Sequence, residues 1–495
     1  MKFIVKTRYD ADVLIAGAGP GGAACAYHLR KAGLKVILID FQKFPRDKVC
    51  GDFVGPVAIK ELESIGITKM EEFKRTNVIT QAEVFLDGRS LITKSIPKIQ
   101  QLPDHGRVIP RELLDQWIYD AAKKMDAITF SSCRFNRFEV HDNCVLSFCK
   151  QGNQEITFTT KYFVGADGSS STAARMLNGT KPDAKDRIVA VRGYFENIQC
   201  TSNQAELYFT SKSFPGYYWF FPTGKNEANI GVGMVLDNFP KEDINLKELL
   251  MDLIEGDATL KRKIGDGKLK DKVVGWPLST YNPDVKITSD RVLLVGDAAG
   301  LINSLNGEGI QYALLSGRWA AETIIACSAA GEHSNAALQK YEETIKHLVG
   351  YDMCLSNLVI QFIRNRNLNP LWLNLLEMMT DKAAKDEYYA MVAGGILAGL
   401  VPASEAVSVS FIGKSILEGI SSISKSVMQT VKQGPVHIAG EGIRASAFAL
   451  SQLSSMVQNP KDYLRWSKGL IDTGIDLSGY VVDDIKTKII SRNGK

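Results

Sequence analysis

Long runs of one charge, metal-ligand clusters, membrane-length apolar stretches and internal repeats are all missing from this sequence, and each absence removes a class of function. Lysine and arginine number 59 against 55 acidic residues, a net charge of +4, with no basic run long enough to serve as a nucleic-acid tail. Nucleic acid is therefore not an expected partner. The six histidines, at 28, 105, 141, 333, 347 and 437, have neither metal-site nor triad spacing. The eight cysteines are scattered, and Cys144 and Cys149 are five apart, outside the spacing of a zinc knuckle. No metal is expected, and the thiols read as free, in a reducing compartment. The most apolar window, Met391–Ala403, is too short to span a bilayer and is interrupted by Pro402. The start, MKFIVKTRYDADVLIAGAG, shows no apolar stretch followed by a cleavage site, so no secretory leader is expected. These absences predict a cytoplasmic location. Peripheral attachment to the inner face of the membrane stays open, and the oligomeric state is not readable.

What is present is ample core material. Hydrophobic residues make up 45% of 495, enough for two or three domains. Asp12–Ala16 (DVLIA) reads as a buried parallel strand, Gly21–Ala32 as a helix ended by Gly33, and Lys35–Asp40 (KVILID) as the next strand. Together they form one βαβ unit. Residues 80–100 and 190–275 alternate apolar and polar positions with many aromatics, which predicts a separate antiparallel sheet. Short apolar strands return at Lys161–Ala166 and Arg291–Gly296, and beyond about 345 the period turns helical, as in Ala445–Val457. Ser404–Ser426 is serine-rich but carries spaced apolar residues, so it does not read as disordered.

Three glycine motifs carry the chemistry. Gly17-Ala18-Gly19-Pro20-Gly21-Gly22 follows the first strand. In this pattern Gly17 permits the tight turn, Gly19 lets backbone approach a pyrophosphate, Gly22 lets helix and strand pack, and Pro20 suits a helix start. The helix N-terminus offers free N–H groups to phosphate. About twenty residues on, Asp40 ends the second strand, where a carboxylate can accept the ribose hydroxyls of an adenosine. The second motif, Arg291 to Gly300 (RVLLVGDAAG), places Gly296 and Asp297 at a strand end, with Asp297 suited to a ribityl hydroxyl of FAD. It leads to Asn306-Gly307-Glu308-Gly309-Ile310, opening a helix whose N-terminus can stabilise negative charge on a reduced flavin. The third, Gly165-Ala166-Asp167-Gly168-Ser169, follows the strand KYFV; its Asp167 and Gly168 suit a ribityl or pyrophosphate group, or form a plain turn.

These motifs, in this order, resemble those of the geranylgeranyl reductase family, within the aromatic-hydroxylase-type flavoproteins. Two segments point to the narrower family: Phe44-Pro-Arg46-Asp-Lys48-Val-Cys50-Gly51, similar to its P-R-x-K-x-C-G segment, and Tyr217-Tyr-Trp219-Phe-Phe221-Pro222, similar to its Y-x-W-x-F-P signature. The resemblance covers about residues 10–345. The chain departs from the family where Ser304 replaces a proline, where Pro215 lies one residue closer to Tyr217 than usual, and where Arg175 falls one residue late.

The resemblance implies an α/β fold: a Rossmann-type FAD-binding domain (1–80, 101–190 and 276–345) with an inserted antiparallel-sheet substrate domain (81–100 and 191–275) and a C-terminal helical region (346–495). It implies non-covalent FAD held by Gly17, Gly19, Pro20, Gly22, Asp40, Arg46, Lys48, Cys50, Gly51, Arg111, Asp167, Gly168, Gly296, Asp297, Gly307, Gly309 and Ile310. Arg111 would lie near the pyrophosphate; the alternative is an ion pair with Asp115 one turn on. Cys50 would lie near the isoalloxazine, as a chemical group or as a small hydrophobe. Tyr217, Trp219 and Phe221 share one strand face, as a substrate wall or as sheet packing; Cys50 and Tyr217 are the candidate catalytic groups. The implied reaction is reduction of carbon–carbon double bonds in an isoprenoid or other long apolar molecule, by hydride from reduced flavin N5. The donor would be NAD(P)H or a reduced electron carrier, since no second nicotinamide fingerprint is present. The rival is a monooxygenase or halogenase on the same scaffold, although no W-x-W-x-I-P segment occurs.

Overall fold

The computed structural model describes residues 8–391, except 100, 212, 225 and 240–244, together with 456–493. The windows Met391–Ala403, Ser404–Ser426 and Ala445–Val457 lie outside the described residues, apart from Met391, Met456 and Val457.

Two eight-stranded sheets organise the molecule. In the first, the strand Arg8–Ala16 pairs in parallel with Val36–Ile39 on one side and Gln154–Gly165 on the other. Gln154–Gly165 in turn pairs in parallel with Val292–Leu294, and Val36–Ile39 with Ile128–Phe130. Four of these five strands end in a motif: Ala16 before the glycine fingerprint, Ile39 before Asp40, Gly165 before Asp167, Leu294 before Gly296-Asp297. Parallel strands buried on both faces require continuous apolar runs; Val13 to Ala16, Val36 to Ile39 and Val292 to Leu294 are almost wholly buried.

The helix Pro20–Lys31 packs across the late helix Ile310–Ala330. Glycines permit the close approach: a Cβ on Gly317 would lie 2.3 Å from the Gly21 carbonyl oxygen, and one on Gly21 would lie 3.0 Å from that of Ala313. The side chain of Ser316 accepts a hydrogen bond from Gly296 N–H at 2.9 Å, which ties the late helix to the Gly-Asp turn.

The second sheet runs Lys268–Leu269, Arg187–Glu196, Glu227–Val235, Tyr217–Gly224, Gln204–Phe209, Gln81–Leu86, Arg89–Ser95, with Val274–Ser279 also on Arg187–Glu196. It is not wholly antiparallel as expected: Gln204–Phe209 and Gln81–Leu86 pair in parallel. The two strands come from separate insertions, so no hairpin dictates their direction. Its strands reach 187 and 279, a few residues beyond the limits read from the sequence. A three-stranded sheet of Phe53–Val54, Gly106–Val108 and Asn77–Ile79 sits between the two larger ones in sequence. The described C-terminal helices include Tyr351–Ile363, Asn369–Lys385 and Pro460–Asn493. None of the described helices is long and apolar enough to cross a membrane.

Candidate active site

A cavity of about 400 Å³ joins the strand ends of the first sheet to the face of the second and to the helix Asn369–Lys385. Of the residues singled out in the sequence, Pro20, Lys48, Cys50, Gly51, Arg111, Asp297, Gly307, Gly309, Ile310, Tyr217, Trp219 and Phe221 all line it. Segments separated by up to 290 positions in the chain thus meet at one site.

The fingerprint turn works as its glycines require. Gly17 has φ +109°, and a Cβ there would lie 2.1 Å from Ala166 O; one on Gly22 would lie 1.9 Å from Gly17 O. Asp40 is buried, and its carboxylate accepts Ala18 N–H at 2.9 Å and Gln42 N–H at 2.8 Å. Each oxygen keeps a second lone pair for a hydroxyl. Gly19 faces open space, where the nearest atom to an added Cβ is Arg46 Nη2 at 3.5 Å.

The cations are partnered. Arg46 and Arg111 share the buried Asp115: Arg46 Nη1 lies 3.0 Å from it, and Arg111 grips it with Nε at 2.7 Å and Nη2 at 2.8 Å. The Arg111–Asp115 pair, the weaker alternative from sequence, is therefore formed, but inside the site rather than on the surface. Lys48 Nζ lies 2.9 Å from Asp297, which also accepts the Ser169 hydroxyl at 3.0 Å. Burial pushes the Asp297 carboxyl up, but the Lys48 charge and hydrogen bond outweigh it and hold the group below its ordinary value. The Asp167 carboxylate accepts Thr172 and Ala173 N–H and the Ser171 hydroxyl, so it caps the helix Thr172–Asn178. Gly168, at φ +78°, completes that turn.

Beside the cavity, Tyr217, Trp219 and Phe221 form one wall, while Tyr218 and Phe220 point into the core of the second sheet. Gly231 makes room for the indole, since a Cβ there would lie 2.2 Å from the Trp219 ring. The Tyr217 hydroxyl donates to the Asn306 carbonyl, and burial pushes its ionisation upward. Cys50 Sγ accepts Asp52 N–H at 3.3 Å, and burial pushes that thiol up as well. It stays a thiol at neutral pH.

Sequence reasoning missed a polar network behind this wall. Asn229 accepts Trp219 Nε1–H at 2.9 Å and donates to Asp52 at 2.9 Å and to the Cys50 carbonyl at 2.7 Å. Asp52, fully buried at φ 64°, also accepts the Tyr194 hydroxyl, and burial raises it to about 6 against those hydrogen bonds. Glu308, inside a motif valued only for its glycines, faces the cavity. A lone Asn in the buried strand EANIGVGMV and a carboxyl between two glycines were the available signals.

The helices Pro20–Lys31 and Ile310–Ala330 both begin at glycines with no side-chain cap, and both first residues line the cavity. Uncapped N–H groups at two helix starts, Arg46 over an open Gly19 and the Lys48–Asp297 pair at the junction fit a diphosphate-bearing flavin. A family model described as an FAD binding domain matches residues 10–351. Digeranylgeranylglycerophospholipid reductase of Methanocaldococcus jannaschii is 30% identical over 355 residues, which span 70% of this chain and 85% of that one. The chain belongs to the geranylgeranyl reductase family of FAD-dependent oxidoreductases. The flavoprotein is also similar to menaquinone reductase of Mycolicibacterium smegmatis, 31% identical over 335 residues, 63% of this chain and 76% of that one. A solved geranylgeranyl bacteriochlorophyll reductase-like protein of Thermoplasma acidophilum superposes with TM-score 0.64 at 25% identity, covering 86% of this flavoprotein and all of that chain. The flavin-dependent brominase Bmp2, at TM-score 0.65 and 18% identity over 84% of this chain and all of its own, shares the fold.

Proposed function

We propose that this oxidoreductase reduces carbon–carbon double bonds in a polyprenyl chain, on a lipid or quinone. The observation that carries this reading is the cavity's lining. It combines the cofactor-binding strand ends, the Tyr217, Trp219 and Phe221 wall, and Trp372, Leu376 and Met379 of Asn369–Lys385. Trp219 spends its only donor on Asn229 and Tyr217 its hydroxyl on Asn306, so this wall offers a substrate aromatic faces and no free hydrogen-bond donor. Such a wall suits a long hydrocarbon with regularly placed double bonds. The names of the reductase relatives support the same substrate class.

Reduced FAD, when bound, supplies hydride to one alkene carbon. The residues of this chain do the rest. Asp40 would take the ribose, Arg46 and the N-terminus at Pro20 the diphosphate, and Asp297, aligned by Lys48, a ribityl hydroxyl. Cys50 and Gly51 narrow the cavity between the Tyr217 wall and the late helix, and the apolar lining excludes water from the reacting carbons. NAD(P)H or a reduced carrier protein restores the electrons. Contact with the membrane that holds the substrate belongs to the same proposal, and Leu464, Ile471 and Ile475, exposed on the last described helix, are the residues to test by liposome sedimentation.

Anaerobic incubation of dithionite-reduced protein with polyprenyl lipids and prenylated quinones, followed by mass spectrometry, tests the reading. Products gaining two hydrogens per turnover are expected. Product formation only in air, with an added oxygen or halogen, would instead establish a monooxygenase or halogenase.

A further inference from the structure

Reducing an alkene requires a proton as well as a hydride, and the cavity wall can be searched for its source. Asp297 is tied to Lys48 and Ser169 and held deprotonated. The Tyr217 hydroxyl is committed to the Asn306 carbonyl. The Cys50 sulfur accepts Asp52 N–H and lies against the Arg111 guanidinium. Glu308 is different. It lines the cavity between Gly307 and Gly309, its Oε2 is shielded from solvent, and that oxygen has no hydrogen-bond partner among the described residues. Its backbone is fixed on both sides: its N–H donates to Asn306 Oδ1 at 2.9 Å and its carbonyl accepts Asn303 N–H at 2.9 Å. Its Oε1 would lie 3.1 Å from a Cβ on Gly55, so the loop after Phe53–Val54 closes over the carboxyl. A buried carboxyl oxygen with no protein partner is costly unless it carries a proton or meets a ligand.

We propose that Glu308 is the catalytic acid, whose carboxyl proton goes to the alkene carbon that does not receive hydride. This rests on the reading of the protein as an alkene reductase. In the step, the π bond breaks, one carbon gains hydride, and the other forms a C–H bond as the Glu308 O–H bond breaks. The two electrons come from the reduced cofactor, and nicotinamide or a carrier protein replaces them. The Glu308 carboxylate regains its proton from water once the product has left. Its surroundings keep the acid loaded. Burial raises its proton affinity well above the ordinary carboxyl value, and Asp352 on Tyr351–Ile363, held by Tyr312 Oη at 3.0 Å, raises it further. Tyr217 from the aromatic strand and Tyr312 from the late helix are the other titratable groups that feel its charge, and both are neutral. The start of Ile310–Ala330 acts the other way, favouring the anion, while burial and Asp352 both favour the acid. A raised acid is competent below its own pKa, so the rate should fall as pH rises through that raised pKa.

The test combines infrared spectroscopy with an anaerobic half-reaction, using Glu308→Gln and Glu308→Asp in the FAD-loaded protein. In the substrate-free wild type at neutral pH, a protonated-carboxyl carbonyl band should be present, and Glu308→Gln should remove it. With geranylgeranyl diphosphate as the probe, alkene-dependent flavin reoxidation should slow about 10²-fold or more in Glu308→Gln, with FAD content unchanged, the alkaline fall gone and part of the rate restored in Glu308→Asp. An infrared band that survives in Glu308→Gln, or reoxidation within about twofold of wild type, would overturn the assignment. If the wild type reduces no polyprenyl probe, the alkene-reductase reading fails. The infrared band then decides by itself whether Glu308 holds a proton, and survival of the band in Glu308→Gln still overturns the assignment.

Discussion

Asp52 is the residue whose behaviour departs furthest from what its neighbours in sequence suggest. It follows Cys50-Gly51, yet its carboxyl points away from the cavity lining into the Tyr194–Asn229 network, and one of its oxygens has no partner. Burial raises its pKa from 3.8 to about 6. The folded state therefore prefers the protonated form. The resulting stability is fully present below about pH 4 and lost as pH rises through 6. Asp52→Asn keeps a neutral group in a left-handed conformation that Asn tolerates. The variant should gain on the wild type between pH 4 and 7, by up to ~3 kcal/mol in denaturant midpoints. A gap that does not change with pH would mean that Asp52 titrates normally. Gly231 poses a steric question at the same scale. In Gly231→Ala the new Cβ would meet the Trp219 ring at 2.2 Å and Val191 O at 2.5 Å. The indole should be displaced into the cavity, with tryptophan emission shifted, FAD retained and kcat/KM lowered about tenfold or more.

At the scale of elements, the loop 40–55 and the Gly296-Asp297 turn are joined by one part-buried pair, Lys48 with Asp297. Lys48→Met leaves Asp297 buried without its cation, which should cost ~3 kcal/mol and release FAD. Adding Asp297→Asn should recover much of the stability but not the cofactor, a coupling that thermal denaturation and flavin absorbance can measure together. The crossing of Pro20–Lys31 over Ile310–Ala330 is equally specific. Gly317→Ala drives a methyl toward the Gly21 carbonyl and should cost about 1–3 kcal/mol while weakening FAD retention. Much of this was legible in the sequence, because each glycine answers a local backbone demand and four strand ends of the first sheet carry a motif. Asp167 has a local role that the motif alone does not show: with Ser171, four residues on, it caps the next helix. Asp52 and Asn229 were not legible because their partners lie elsewhere in the chain, Asn229 being 179 residues from Cys50, and Glu308 was not because only the folded cavity shows it buried. Nor does the alternation of Gln81–Leu86 reveal the direction of its partner strand.

On the scale of the whole molecule, the cavity is shared property: strand ends of one sheet, a face of the other, and the helix Asn369–Lys385. Leu376 of Asn369–Lys385 lines it. Leu376→Trp should shrink the cavity, leaving short prenyl substrates within a few-fold of wild type and slowing long ones about tenfold, which competition assays with mixed chain lengths would reveal. The parallel sheet is shared in a different sense. Gln154–Gly165 lies between the first strand and Val292–Leu294, so the fingerprint at residues 17–22 is flanked by segments made much later. During translation the nascent chain carries a complete glycine turn for most of its synthesis without the far side of the pocket. Cofactor capture must wait until the strand at 292–294 and the helix after it have left the ribosome. Chains that stall or are cleaved earlier would leave the apolar face of the second sheet without the flavin or the late helix to cover it, and they would be the natural clients of chaperones and proteases.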